Sequence, residues 1–108
     1  MRAAESKQAR DIVVLDVREA TSFADYFVIA SGANQRQIQA IADEIGMKLK
    51  DAGERPNSVE GYSNAEWVLM DYGDLVIHVF SLKSRVYYDL ERLWRDARKV
   101  EWETEAVV

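Results

Sequence analysis

Residues 26–53 read YFVIASGANQRQIQAIADEIGMKLKDAG and predict a buried strand followed directly by an amphipathic helix. The strand is the apolar run at 26–30, which Ser31 and Gly32 close. Asn34 is the expected N-cap of the helix, Gln37 supplies a reciprocating amide three residues later, and Gly53 is the expected stop. Apolar residues three or four positions apart form one stripe along this helix, namely Ile38, Ile41, Ala42, Ile45 and Leu49.

Other strands are predicted on both sides of this unit. Residues 11–17, DIVVLDV, form a β-branched run before it. Residues 67–71 and 75–80 follow it and predict a hairpin around Tyr72 and Gly73. Alternation along the first of these strands places Trp67, Leu69 and Asp71 on one face, with Val68 and Met70 on the other.

Helices are predicted at both ends of the chain, and residues 54–65 are predicted to be a loop. Residues 3–10 predict the end of a helix, and a last helix is predicted from about Ser84 to about Lys99. Its predicted stripe consists of Val86, Leu90, Leu93 and Ala97, flanked by Tyr87 and Trp94. The element order is therefore (α)ββαββα, an α/β chain of the α+β type in which helices pack on a single mixed β-sheet.

Length and charge limit the classes of protein that this chain can be. Its 108 residues predict one domain at 1–99 and an acidic, flexible tail at 100–108. The net charge is −5, the chain contains no cysteine, and no apolar run is long enough to span a membrane. Residues 54–80 contain five acids and one arginine. That stretch is either a surface for a basic partner or a solvated face that only aids solubility.

The residues that could carry catalysis are few. His78 lies inside an apolar strand, where a hydrogen-bonded structural role is favoured over catalysis. Ser31 and Gly32 precede a helix and could hold a phosphate, but neither phosphate-binding glycine motif is present. Asp71 and Asp74 flank the hairpin turn, either as cation ligands or as plain turn residues. The sequence therefore assigns no catalytic residue, no cofactor and no metal.

Trp67 has two alternative roles. Tryptophan is enriched at the centres of protein–protein interfaces, and acidic residues flank this one. Alternatively, the indole simply packs under a helix, and periodicity alone favours that interpretation.

A series of matching stretches covers nearly the whole domain in one unbroken order. They are DIVVLDV at 11–17, SFADYFVIASG at 22–32, RQIQAIAD at 36–43, EG at 60–61, EWVLMDYGDLVIHVF at 66–80 and YDLERLWRDA at 88–97. In this series the chain resembles the ribosomal silencing factor family (RsfS, also called Iojap-like). The resemblance implies a nucleotidyltransferase-like fold without nucleotidyl transfer, since the Gly-Ser motif and Asp-x-Asp pair of true transferases are missing.

The resemblance also implies a function. Family members bind protein fourteen of the large ribosomal subunit, block its association with the small subunit and repress translation in starvation or stationary phase, without chemistry or cofactor. The implied location is the bacterial cytoplasm or an organelle interior, with no membrane and no free nucleic acid as partner. A homodimer is the default oligomer for a small domain with apolar surface to cover. Partner binding is carried over to Trp67, Leu69, Asp71 and Asp74, and more weakly to Tyr88.

Two alternatives from other classes stay open. One is a small nucleotide-binding or nucleotidyltransferase-type enzyme that uses Ser31, Gly32, Asp71 and Asp74. The other is an RNA-binding module, which the basic segment 84–99 supports and the overall acidic balance opposes.

Overall fold

A computed structural model of the protein describes residues 10–19, 21, 24–95 and 97–100. Within these ranges the elements are β1 (Arg10–Asp16), β2 (Tyr26–Gly32), α1 (Gln35–Asp51), β3 (Ser58–Glu60), β4 (Trp67–Asp71), β5 (Leu75–Ser81), α2 (Leu82–Tyr88), α3 (Leu90–Leu93) and β6 (Arg98–Val100). The strands form one sheet in the order β3-β4-β5-β2-β1-β6. The central pair β2–β5 is parallel and the other neighbouring pairs are antiparallel. The predicted single mixed sheet with packed helices is thus confirmed.

Helix α1 covers one face of the sheet. Its cap is the predicted one, since the Gln37 backbone N–H donates to Asn34 Oδ1 at 2.8 Å. The Gln37 side chain reaches back further than expected and accepts from the Ala33 backbone N–H at 2.5 Å. The predicted apolar stripe of α1 is buried against side chains from β2, β4 and β5, namely Val28, Val68, Met70, Ile77 and Val79. Removal of this apolar surface from water is the main stabilisation of the fold.

The opposite face has a thinner cover. Here the buried side chains of the sheet include Leu15, Phe27, Ile29, Val76 and Phe80. They are packed against residues of the C-terminal segment, namely Leu90, Trp94 and Ala97. The ring of Trp94 meets Phe27 edge-on at 5.3 Å between centroids. Since α2 and α3 are short, they leave part of this face open.

The prediction of one continuous helix from Ser84 to Lys99 is wrong. The helical segment begins at Leu82, with Ser81 as its N-cap, and it breaks at Asp89. Asp89 has φ 47° and ψ 55°, a left-handed backbone conformation that a helix cannot contain. Residues after α3 turn back and form β6 instead of a further helical turn.

Because of the break at Asp89, only part of the predicted apolar stripe packs on the sheet. Leu90 and Ala97 pack on the sheet as predicted. Val86 is 79% exposed and Leu93 is 71% exposed, so neither belongs to the core. Because α2 and α3 have different directions, residues that share one face of an ideal helix no longer share one here.

Smaller differences lie at the ends and in the predicted loop. Strand β3 lies inside the segment 54–65 that was predicted as loop only. Of the predicted N-terminal helix at 3–10, Arg10 is the first residue of β1, and 3–9 lie outside the described residues. Of the predicted tail at 100–108, Val100 ends β6 and 101–108 lie outside the described residues, so the flexibility of the tail stays a prediction.

Candidate functional site

The open part of the sheet lies on the face opposite α1, along β4. The predicted alternation is confirmed, since Val68 and Met70 are buried under α1 while Trp67, Leu69 and Asp71 are half-buried on the other face. Strand register adds neighbours to this face, because directly opposed residues point the same way. Trp67 is paired with Phe80, and Leu69 lies between Glu60 on β3 and His78 on β5.

Trp67 is the centre of an aromatic cluster that consists of Trp67, His78, Phe80 and Tyr88. Its ring centroid lies 5.1 Å from that of Phe80 and 4.6 Å from that of Tyr88. Its indole N–H donates to His78 Nδ1 at 3.0 Å. The structure thus places Tyr88 of α2 beside Trp67 of β4. Both residues were predicted to bind a partner. The indole is thus partly buried among aromatic side chains, and a role of Trp67 in partner binding stays a prediction.

His78 is the hydrogen-bond acceptor for Trp67 in this cluster. It is 5% exposed, and burial lowers its pKa from 6.5 to about 4, so the imidazole is neutral near pH 7. Because Nδ1 accepts the bond from Trp67, the ring proton must be on Nε2. Nε2 is buried and has no hydrogen-bond partner among the described residues. The buried, hydrogen-bonded environment predicted for His78 is therefore confirmed.

The carboxylates of the candidate site form an acidic rim made of Glu60, Asp71 and Asp74. Asp71 Oδ1 accepts the Gly73 backbone N–H at 2.8 Å, a bond that shapes the hairpin turn. Asp74 is exposed in the same turn. No group of three or more histidine or carboxylate side chains in the described residues is arranged to hold a metal ion. The bond to Gly73 supports the turn role for Asp71.

The five carried-over residues do not form one tight constellation. Trp67, Leu69 and Tyr88 are neighbours near the start of β4. Asp71 and Asp74 lie at its far end, about 13 Å along the strand at about 3.3 Å per residue. Such a spread is ordinary for a protein interface.

The phosphate site considered at Ser31 and Gly32 does not form. Ser31 is fully buried, and its Oγ accepts from Arg85 Nη1 at 2.9 Å. Arg85 is in turn paired with Glu91, Nε to Oε1 at 2.8 Å. A Cβ on Gly32 would lie 2.7 Å from Ile38 Cγ1, so this glycine permits close helix–strand packing rather than ligand approach. The serine belongs to an internal polar link between β2 and α2.

Sequence reasoning missed a second surface, which we name the helical groove. It has a volume of about 630 Å³ and is lined by Val86, Tyr87, Tyr88, Asp89, Arg92, Leu93 and Arg95. One signal was available in the sequence. Consecutive residues on a helix are about 100° apart, so Tyr87 and Tyr88 cannot both face the core. Tyr88 lies over Trp67, and Tyr87 is 80% exposed.

None of the described helices is long and apolar enough to cross a membrane.

Comparison with known proteins identifies the family. The sequence model described as "Ribosomal silencing factor during starvation" matches residues 1–107. Ribosomal silencing factor RsfS of Halalkalibacterium halodurans is 42% identical over 103 residues, 95% of this chain and 88% of that protein. RsfS of Bacillus subtilis is 45% identical over 95 residues, 88% of this chain and 80% of that protein. A crystal structure of a Chromobacterium violaceum protein has a TM-score of 0.85 at 38% identity and covers 99% of this chain and 86% of that one. This chain therefore belongs to the ribosomal silencing factor family.

Proposed function

We propose that this protein binds the large ribosomal subunit through its protein fourteen and sterically blocks joining of the small subunit. Translation is thereby repressed in starvation and stationary phase, in the bacterial cytoplasm. Family membership and the bacterial relatives support the proposal. The observation that carries it is the half-open aromatic cluster around Trp67, on the part of the sheet that α2 and α3 leave uncovered.

The aromatic cluster supplies the affinity in this proposal. Trp67 is held in place by Phe80 and His78, so little side-chain freedom remains to be lost on binding. A partner side chain that covers the exposed part of the indole, together with Leu69 and Tyr88, removes apolar surface from water. A preorganised, partly buried tryptophan of this kind is typical of an interface hot spot.

The acidic rim supplies orientation and association rate. Glu60 lies directly across from Leu69, and Asp74 lies in the turn beyond Asp71. Ribosomal proteins are usually basic, so these carboxylates attract such a partner towards the sheet before contact. Since the rim is exposed or half-exposed, its effect falls as ionic strength rises.

The mechanism requires no chemistry. The relatives carry the name of a regulatory factor, and occupation of a subunit surface is enough to prevent joining. The nucleotide-binding alternative is not favoured, because Ser31 is buried and bonded to Arg85 rather than presented to a ligand.

Sedimentation of purified ribosomal subunits with the added protein tests the proposal. We expect co-migration with the large subunit alone and loss of joined ribosomes. The Trp67→Ala variant is expected to weaken large-subunit binding by about 2 kcal/mol or more, roughly 30-fold, the usual threshold of a hot spot. The matched control is Met47→Ala, which removes an exposed apolar side chain from α1 on the other side of the sheet.

A second variant covers the case in which Trp67→Ala unfolds. Asp74 is exposed, so Asp74→Lys is expected to leave the fold intact and to slow association at low salt. Absence of co-migration by the wild-type protein at micromolar concentration refutes the proposal. Unchanged binding by a folded Trp67→Ala variant removes Trp67 from the site.

A further inference from the structure

The helical groove is continuous with the aromatic cluster around Trp67. Tyr88 belongs to both, since it lines the groove and its ring centroid lies 4.6 Å from that of Trp67. Tyr87 is the next groove residue, and its ring meets that of Tyr88 at 90° with 5.0 Å between the centroids. A partner that covers Trp67 therefore also comes close to the groove.

Exposed basic side chains accompany the ring of Tyr87, which is itself 80% exposed. Arg92 and Arg95 line the same groove and are exposed. Lys83 is exposed as well, and it shares one side of α2 with Tyr87 because the two are four residues apart. The acidic residue among those that line the groove is Asp89, which is half-buried. The groove therefore combines an open aromatic ring with a surplus of positive charge.

This combination of side chains is typical of sites for unpaired RNA. Unstacked bases stack on aromatic rings, and planar guanidinium groups bind phosphates through paired hydrogen bonds. We propose that the helical groove binds an unpaired strand of ribosomal RNA beside protein fourteen, with a base on Tyr87 and phosphates on Arg92 and Arg95. This proposal rests on the proposed function, because the groove and Trp67 then contact the same subunit.

The charges of the binding face favour RNA over an acidic protein. The acidic rim lies along β4 and its turn, whereas the basic residues lie on and just after α2 and α3. In a ribosomal subunit the proteins are usually basic and the RNA carries the negative charge, so this face complements a place where the two meet. The net charge of −5 opposes tight binding of free RNA. Docking through Trp67 offsets that, since it holds the groove and the RNA at a high effective concentration.

Affinities for two partners, purified large subunits and isolated protein fourteen, test the proposal over a range of salt concentrations. Arg92→Gln with Arg95→Gln is expected to weaken subunit binding about tenfold or more at about 0.1 M salt, and to leave binding to isolated protein fourteen unchanged. The slope of log affinity against log salt is expected to become shallower by about 1.4, which is about 0.7 for each lost phosphate contact. The matched control is Arg36→Gln with Lys48→Gln, which removes the same charge from exposed positions of α1 and is expected to change neither affinity more than about twofold.

Tyr87 gives an independent measurement. Tyr87→Ala is expected to weaken subunit binding at least about fivefold, whereas Tyr87→Phe keeps the ring and is expected to bind like the wild-type protein. Replacement of Tyr87 by the photoreactive p-azidophenylalanine is expected to give adducts with ribosomal RNA when the complex is illuminated. The same replacement of Met47, which is exposed on α1, is the control and is expected to give no RNA adduct.

The results separate this proposal from the proposed function. Wild-type protein that does not bind the large subunit refutes the proposed function, and RNA binding in the groove with it. Subunit binding by the wild-type protein that stays unchanged in the double arginine variant and in Tyr87→Ala refutes RNA binding alone. Equal losses on the subunit and on isolated protein fourteen, or adducts with protein only, assign the groove to a protein partner and also overturn RNA binding.

Discussion

Acidification is expected to destabilise this protein through His78. The imidazole lies inside the sheet and accepts the indole N–H of Trp67 on Nδ1. A proton on Nδ1 turns the acceptor into a second donor, so the bond to Trp67 is lost and a charge is left in an apolar environment. Among the described residues no carboxylate accepts a hydrogen bond from His78 to offset that charge.

The magnitude follows from the pKa. Burial lowers the pKa of His78 to about 4, whereas the unfolded chain keeps the ordinary value of 6.5. Between these two pH values the unfolded chain binds more protons than the folded one, so the free energy of unfolding falls as the pH falls. A tenfold change in proton affinity is worth about 1.4 kcal/mol, so the full loss is about 3 kcal/mol. The loss begins near pH 6.5 and is complete near pH 4.

Urea unfolding at a series of pH values between 7 and 4 measures this loss, with tryptophan fluorescence as the signal. The control is His78→Gln, which is less stable at pH 7 but has no group that titrates at this position. The carboxyl of Asp16, whose pKa is also shifted, does not obscure the effect of His78. Hydrogen bonds from Arg18 lower the pKa of Asp16 to about 2, so its ion pairs persist through this range. Equal losses of stability in the wild-type protein and His78→Gln would falsify the assignment to His78.

Three further substitutions test the packing of the uncovered face by urea unfolding at neutral pH. Gly61→Ala is expected to lower the free energy of unfolding by about 2–4 kcal/mol. The reason is that φ is +78° at Gly61 and that a Cβ there would lie 2.1 Å from the Trp67 carbonyl oxygen. A loss below 1 kcal/mol contradicts that geometry. Arg85→Met is expected to lower the free energy of unfolding by about 1–3 kcal/mol, because the buried hydroxyl of Ser31 on β2 loses its donor. Lys83→Met on the same helix is the control and is expected to change that free energy by less than about 0.5 kcal/mol. Asp89→Gly is expected to stabilise by about 0.5 kcal/mol, since the left-handed backbone at the α2–α3 junction favours glycine; a loss of stability instead assigns the carboxylate a role of its own.

The parts of the fold that sequence predicts are those with a repeated local pattern. The stripe from Ile38 to Leu49 and its cap at Asn34 are set within a few residues of chain, so α1 follows from periodicity alone. The β4–β5 hairpin follows from two apolar runs around Gly73, whose φ of +90° requires a residue of this kind. Strand β3 has only three residues, all exposed, and carries no such pattern.

The C-terminal segment shows why the remaining elements are harder to predict from sequence. Val86, Leu90, Leu93 and Ala97 fit one helical stripe, and no glycine or proline marks the break. A single left-handed residue, Asp89, changes the direction of the chain and leaves two of the four in solvent. After the break Leu90 and Trp94 pack on the sheet, and such long-range contacts override local helix propensity.

Sequence alone predicts only part of the geometry of the candidate site. Alternation along β4 places Trp67 and Leu69 on the correct face, but it says nothing of how open that face is. The bond from Trp67 to His78 joins residues eleven positions apart, and it depends on the register between β4 and β5. The helical groove depends on the break at Asp89 and could not be predicted without it.

The sheet order also determines when the fold can be completed during synthesis. Among the described elements, strand β6 is made last and pairs with β1, which is made first, with Val100 opposite Val14. Long-range pairing of this kind is slow, and β6 leaves the ribosomal exit tunnel after every other described element. Helices α2 and α3, which cover Phe27 and Trp67, are released just before it. The aromatic cluster around Trp67 is therefore complete only after residues 82–88 have left the tunnel, late in the synthesis of the described part of the chain.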